Sequence, residues 1–157
     1  MGTCENREAA REVVNRVMSG DHQALADGAA RDMSAKLLGA IGEELAARYL
    51  EGRGYDLVDR NYRCLEGEAD IVAIDPDSGE AVLVEVKTRR SRTTDEVFPE
   101  EAVTPRKQQR YRRIAAQFSL DHYPCPAIRF DVIAVTILPD GIGSIRHLFG
   151  AFDWEAQ

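Results

Sequence analysis

The stretch from Glu68 to Lys87 constrains this chain most. Glu68-Ala69-Asp70-Ile71-Val72-Ala73-Ile74 and Ala81-Val82-Leu83-Val84-Glu85-Val86-Lys87 are two strand-like runs, and the six residues between them, Asp75-Pro76-Asp77-Ser78-Gly79-Glu80, form a concentrated turn signal. The pattern predicts a hairpin. A symmetric turn sets Ile74 opposite Ala81, Val72 opposite Leu83, Asp70 opposite Glu85 and Glu68 opposite Lys87. Alternate strand residues share a face, so Glu68, Asp70, Glu85 and Lys87 fall on one side. Ile71, Ala73, Val82, Val84 and Val86 fall on the other.

Carboxylates facing each other across a ladder repel, and a sequence that puts them there calls for a compensating cation. Mg²⁺ suits this pair: it prefers carboxylate oxygens, keeps several waters, and is held by one or two carboxylates plus a substrate phosphate. Lys87, one step along the same face, is then placed to steady attacking water or developing phosphate charge. The competing reading is a solvated strand face, and on the residues alone the two stand about even.

The remaining elements follow from helical and strand periodicity. Leu37, Leu38, Ile41, Leu45 and Tyr49 recur at helical spacing, with Ser34 as N-cap, Gly52 and Gly54 as stop signals, and small residues (Gly39, Ala40, Gly42, Ala46, Ala47) on the other side, where a sheet can approach. Periodicity turns Glu43, on that helix, toward solvent; its alternative is to reach the site across the small-residue surface. Tyr55–Val58 is a short strand candidate, followed by Asn61-Tyr62-Arg63. A helix is predicted from Pro105 to Leu120 with Thr104 as cap, a fourth strand from near Ile128 through Ile137, and a short fifth over Gly143–Phe149. Helix, three strands, helix and two strands make an α/β sandwich around one sheet. Trp154 and Phe152 are expected to hold the tail on the body, and Tyr111 to be helical core or rim rather than a base-stacking surface.

Residues 1–32 read as an N-terminal extension, a marginal helix and then a flexible tether, ahead of the domain at 33–157. A second reading starts the functional chain at Met33. A third makes the extension a docking helix for a partner.

The chain's 157 residues suit one domain, with 44% apolar and 30% charged residues. Its net charge of −7 argues against a polyanion partner until the distribution is read. Nine of the twenty basic residues lie in two stretches, Lys87, Arg89, Arg90 and Arg92, then Arg106, Lys107, Arg110, Arg112 and Arg113, with Gln108 among the second group. A basic rim around an acidic site suits nucleic acid, although Asp95, Glu96, Glu100 and Glu101 partly offset it. Three dispersed cysteines argue against a disulfide framework or zinc knuckle. With neither a signal peptide nor an apolar run long enough to span a bilayer, the expectation is a soluble, cytoplasmic protein with no membrane partner.

Several runs together resemble a known family: G-E-E-L-A-A-R-Y-L (42–50), G-Y (54–55), N-Y-R (61–63), G-E-A-D-I-V (67–72), V-E-V-K-T-R (84–89) and R-F-D-V (129–132). They resemble the YraN-type uncharacterised protein family, which looks like a branch of the PD-(D/E)xK endonuclease superfamily near the archaeal-type Holliday junction resolvases. The resemblance covers about residues 35–152. It implies a restriction-endonuclease-like three-layer sandwich of order αβββαββ, with a mixed sheet and helices on its faces. It makes Asp70 and Glu85 metal ligands and Lys87 the catalytic lysine. Glu43 becomes the helical glutamate of the resolvase-like branch, against the periodicity, and Glu43 and Glu68 are further candidates for the metal. Lys107 and Gln108 fall near the phosphate, and Arg89, Arg90 and Arg110 complete the candidate nucleic-acid contacts. The implied activity is Mg²⁺- or Mn²⁺-dependent hydrolysis of DNA, on branched or single-stranded substrates, by a homodimer. The alternative is a non-catalytic nucleic-acid-binding or scaffold protein that keeps the fold. Ala69 stands where the superfamily often has proline and the family a larger aliphatic, and residues 1–32 have no counterpart.

Overall fold

Ser34 and Thr104 start the two helices that the sequence pattern predicts, each by the same device. The Ser34 hydroxyl accepts the Leu37 N–H at 3.1 Å, and the Thr104 hydroxyl accepts that of Lys107 at 3.3 Å. The computed structural model describes residues 3–26, 33–91, 103–141 and 143–152. Its helices are α1 (Thr3–Met18), α2 (Ala35–Gly52) and α3 (Pro105–Asp121), with a 3₁₀ turn at His22–Ala24. Its strands are β1 (Asp56–Cys64), β2 (Gly67–Ile74), β3 (Ala81–Arg90), β4 (Ile128–Ile137) and β5 (Gly143–Leu148). From α2 onward the order is αβββαββ, and the fold is a mixed-sheet α/β sandwich of the restriction-endonuclease-like kind.

The sheet runs β1-β2-β3-β4-β5. β3 and β4 are parallel and all other neighbours are antiparallel. A parallel pair needs a long crossover, and α3 lies in the segment that supplies it. β3 has neighbours on both sides and is buried from Ala81 through Val84. Val82 and Val84 pack with Ala46, Ala47 and Leu50 of α2, while Leu83 packs with Tyr111, Ile114 and Phe118 of α3. The two helices therefore cover opposite faces.

The predicted hairpin register holds from Ile74↔Ala81 through Val72↔Leu83 to Ile71↔Val84, and ends there. Asp70/Glu85 and Glu68/Lys87 are not ladder pairs. β2 continues beside β1 as far as Cys64↔Gly67, and β3 continues beside β4 as far as Arg90↔Ile137, so the sheet splits between its second and third strands. Strict alternation also fails there: Ala69 clusters with Tyr62 and Val72 on the α3 side, not with Ile71 and Ala73.

β1 is longer than the sequence pattern suggests. It runs on through Asn61-Tyr62-Arg63, with a register shift between Leu57 and Asp59 and a left-handed backbone at Asn61 (φ 57°). Asparagine is among the few residues that enter that region readily.

Two further relationships were not read from the sequence. α1 is docked: Ala10 and Val14 are buried against Leu38, Ile41 and Ile137. Much of the apolar α2 stripe thus faces α1, and Gly42, Ala46 and Ala47 of the small-residue side meet the sheet. Gly42 is the closest point, where an added Cβ would overlap the Thr88 hydroxyl and lie 2.8 Å from Thr88 Cβ.

The second is an ionic staple at the turn end of the hairpin. Arg129 holds Asp131 with two bonds of 2.9 Å and Asp75 with one of 2.7 Å. Asp131, with no side-chain exposure, also takes His147 Nε2 at 2.7 Å and the Gly150 N–H at 2.9 Å. Burial opposes ionisation of both carboxyls, but these donors outweigh it, and Asp75 drops to about 2.

Phe152 stacks on Phe130 at 4.4 Å, holding the described end of the tail to the body. Trp154, like Arg92 and the acidic residues Asp95, Glu96, Glu100 and Glu101, lies outside the described residues. The three cysteines are free.

Candidate active site

The split in the sheet positions the predicted residues. Where the ladder would continue, the Asp70 carboxylate accepts the Val86 N–H at 2.8 Å and replaces the missing main-chain partner. This turns Asp70 toward β3. Asp70 and Glu85 then line one open cleft of about 720 Å³, together with Arg63, Cys64, Gly67, Glu68 and Arg110.

Burial, and then the neighbouring charge of Glu85, push the Asp70 carboxyl up to about 8; Glu43 and Glu68 add to the repulsion. Glu85 is held by α3: Lys107 Nζ lies 3.2 Å from Oε1, and the Tyr111 hydroxyl donates to Oε2. Tyr111 is 3% exposed, and burial followed by the Glu85 charge raises its hydroxyl far above the usual range. Sequence reading placed Tyr111 in core or rim and missed this contact. Its signal was position, since Lys107 and Tyr111 are four apart on one helical face.

Glu68 is exposed and pairs with Arg63 at 3.1 Å. Glu43 does not face open solvent. It lines an adjoining cleft of about 330 Å³ that shares Arg63 and Glu68 with the first. Burial raises its carboxyl, while Arg60 and the nearby Asn61 amide draw it back. Its neighbour Glu44 is structural, buried between Arg48 (2.9 Å) and Arg60 (3.0 Å).

Lys87 is half-buried, two residues beyond Glu85, and forms no hydrogen bond or ion pair among the described residues. Arg110 lies on the rim of the larger cleft and packs against Gly67. Gln108 is half-buried beside Lys107, and Arg89 and Arg90 are exposed at the far end of β3, outside both clefts.

Among the described residues, no three His, Cys, Asp or Glu side chains converge as a ready cation cage. The donors at the split are two carboxylates, hard oxygen ligands on an open cleft. That fits an ion such as Mg²⁺, which takes few protein ligands and completes its shell with water and phosphate.

Fold and site thus define a class: an α/β sandwich whose mixed sheet splits to expose an acidic cleft with an arginine on its rim. The chain belongs to the family described as uncharacterised protein family UPF0102, whose model matches residues 42–135. A UPF0102 protein of Arthrobacter sp. (strain FB24) is 51% identical over 75% of this chain and 98% of its own length. One from Geobacter sulfurreducens is 46% identical over 75% of this chain and 90% of its own. A solved structure described as "Crystal structure of SSO0001" aligns at 19% identity over 97% of this chain and 68% of that one, with a TM-score of 0.39. No helix among the described residues is long and apolar enough to cross a membrane.

Proposed function

We propose that the protein is a Mg²⁺- or Mn²⁺-dependent nuclease that hydrolyses phosphodiester bonds in DNA, on branched or single-stranded substrates. The observation that carries this reading is the pairing of Asp70 and Glu85 across the split, on an open cleft with Arg110 at its rim. Asp70 and Glu85 would hold the ion, with Glu43 and Glu68 adding negative charge around it. The bound ion would polarise the phosphoryl oxygen and lower the pKa of attacking water. Lys87 steadies charge developing on the phosphate, and Arg110 receives the neighbouring backbone. Tyr111 and Lys107 orient Glu85 from behind.

The experiment is a panel of junction, flap, duplex and single-stranded DNA incubated with Mg²⁺ or Mn²⁺ and with chelator. Metal-dependent cleavage of at least one substrate is expected. A second reading is favoured by one observation, that both Glu85 oxygens already have protein donors. On it, the protein is a nucleic-acid-binding scaffold that keeps the fold without chemistry. DNA binding without cleavage anywhere in the panel would establish it.

A further inference from the structure

The cleft beside α1 contains groups that the cutting site does not use. Its walls carry Arg7 of α1 and Lys36 of α2, neither with a hydrogen bond or ion pair among the described residues, set against the Glu43 carboxyl, while Arg63 at the edge of the main cleft is already paired with Glu68. It is also lined by Asn6 and Asn61. Asn6 is 6% exposed, yet its Oδ1 has no donor among the described residues. Asn61, whose left-handed backbone turns β1 here, lies beside Glu43 and draws its carboxyl down. A buried acceptor without a donor among the described residues thus lines the groove. Leaving such a group unpaired costs about 1–3 kcal/mol.

A phosphodiester group alone would answer the cations but carries no donor for Asn6. Water would pair the Asn6 oxygen and hydrate the cations, but supplies no opposite charge. A nucleotide carries anionic charge together with donors and acceptors on base and sugar. The groove also meets the Asp70–Glu85 cleft at Arg63 and Glu68. We propose that α1 and α2 form a nucleotide-binding subsite for a single strand continuing from the cleavage cleft, with Arg7 and Lys36 on its phosphates and Asn6 and Asn61 on a base edge. This rests on the nuclease reading for the identity of the strand. It assigns a role to α1, which lies outside the residues that the family model matches.

The test uses the full chain carrying Asp70→Asn, in chelator, with a labelled 12-nucleotide single strand read by fluorescence anisotropy over a salt series. Adding Arg7→Ala and Lys36→Ala should weaken binding about tenfold and flatten the log–log salt slope by about 1.4, at about 0.7 per phosphate contact on a single strand. Asn6→Leu should also weaken binding while leaving the melting temperature equal or higher, because it removes an unpaired buried acceptor. On an abasic strand, the protein with Asn6→Leu and the protein without it should bind equally. Unchanged affinity and slope in the folded double variant would overturn the subsite, and cleavage by the unmodified protein, assayed in parallel, would leave the nuclease reading standing. Binding that depends on Arg7 and Lys36 without cleavage would do the reverse. No binding by any form would overturn the subsite, and the nuclease reading would fall with it only if no substrate of the cleavage panel were cut.

Discussion

The Asp70 carboxylate accepts the Val86 amide N–H at 2.8 Å, one residue beyond the last β2–β3 ladder pair. A side chain therefore does the work of a main-chain carbonyl, and two strands part at a carboxylate that faces another carboxylate.

That arrangement sets the pH response of the metal-free protein. The folded carboxyl titrates at about 8, well above the unfolded value near 3.9, with burial the main cause and Glu85 the next. The sign follows from linkage: its contribution to stability is complete below about pH 4 and is lost as pH rises through 8. Asp70→Asn should melt higher than the parent in chelator at pH 8–9, by about 2–4 °C for each kcal/mol relieved, and no higher near pH 4. It should also abolish stabilisation by Mg²⁺ or Mn²⁺. Thermal melts from pH 4 to 9, with metal or chelator, read both effects.

Lys87 forms no hydrogen bond or ion pair among the described residues. Lys87→Ala should reduce metal-dependent cleavage by about 10²–10³, the usual cost of removing one electrostatic stabiliser. Its unfolding free energy should stay within about 0.5 kcal/mol of the parent. Single-turnover cleavage and urea unfolding check the two halves, and full retained cleavage would remove Lys87 from the chemistry.

Arg129 predicts acid sensitivity. Asp75, depressed to about 2, stabilises the fold above its unfolded value near 3.9 and loses that contribution as pH falls through 2; Asp131 moves in the same direction. Arg129→Met strands both buried carboxylates and should cost about 3–5 kcal/mol, as for other broken buried pairs. Its acid-unfolding midpoint, followed by circular dichroism, should rise.

Gly42→Ala drives a methyl group into Thr88. Overpacking of this kind costs about 1–3 kcal/mol. Thr88→Ala in the same protein removes the hydroxyl and the Cγ2 atom and should restore part of the loss. A double-mutant cycle measured by urea unfolding gives the coupling.

What the sequence disclosed and what it withheld divide along physical lines. Hairpin register is local, set by alternation and turn length, and Ile74↔Ala81 through Val72↔Leu83 could be read directly. The end of that register at Asp70 could not, because it depends on a side chain displacing a main-chain acceptor. The β3–β4 pairing joins residues more than forty positions apart, and periodicity does not encode the choice of partner. The docking of α1 was hidden because its buried surface is small, Ala10 and Val14, and the apolar stripe on α2 does not say which element covers it. The Arg129 staple did leave a signal. Two charges inside the buried run Ile-Arg-Phe-Asp-Val require partners. Asp70, Glu85, Glu68 and Arg110 were brought to one cleft and Glu43 to the next, while Lys87, Lys107, Gln108, Arg89 and Arg90 line neither.

Gly42 meets Thr88 with bare backbone, which leaves α2 no slack against the sheet. Glu43 is the next residue along that helix, so its offset from the cleft is set by main-chain contact and not by any adjustable rotamer beneath it. The glycine acts as a spacer of zero thickness. A single methyl group at this point would re-aim an acid that sits one residue away.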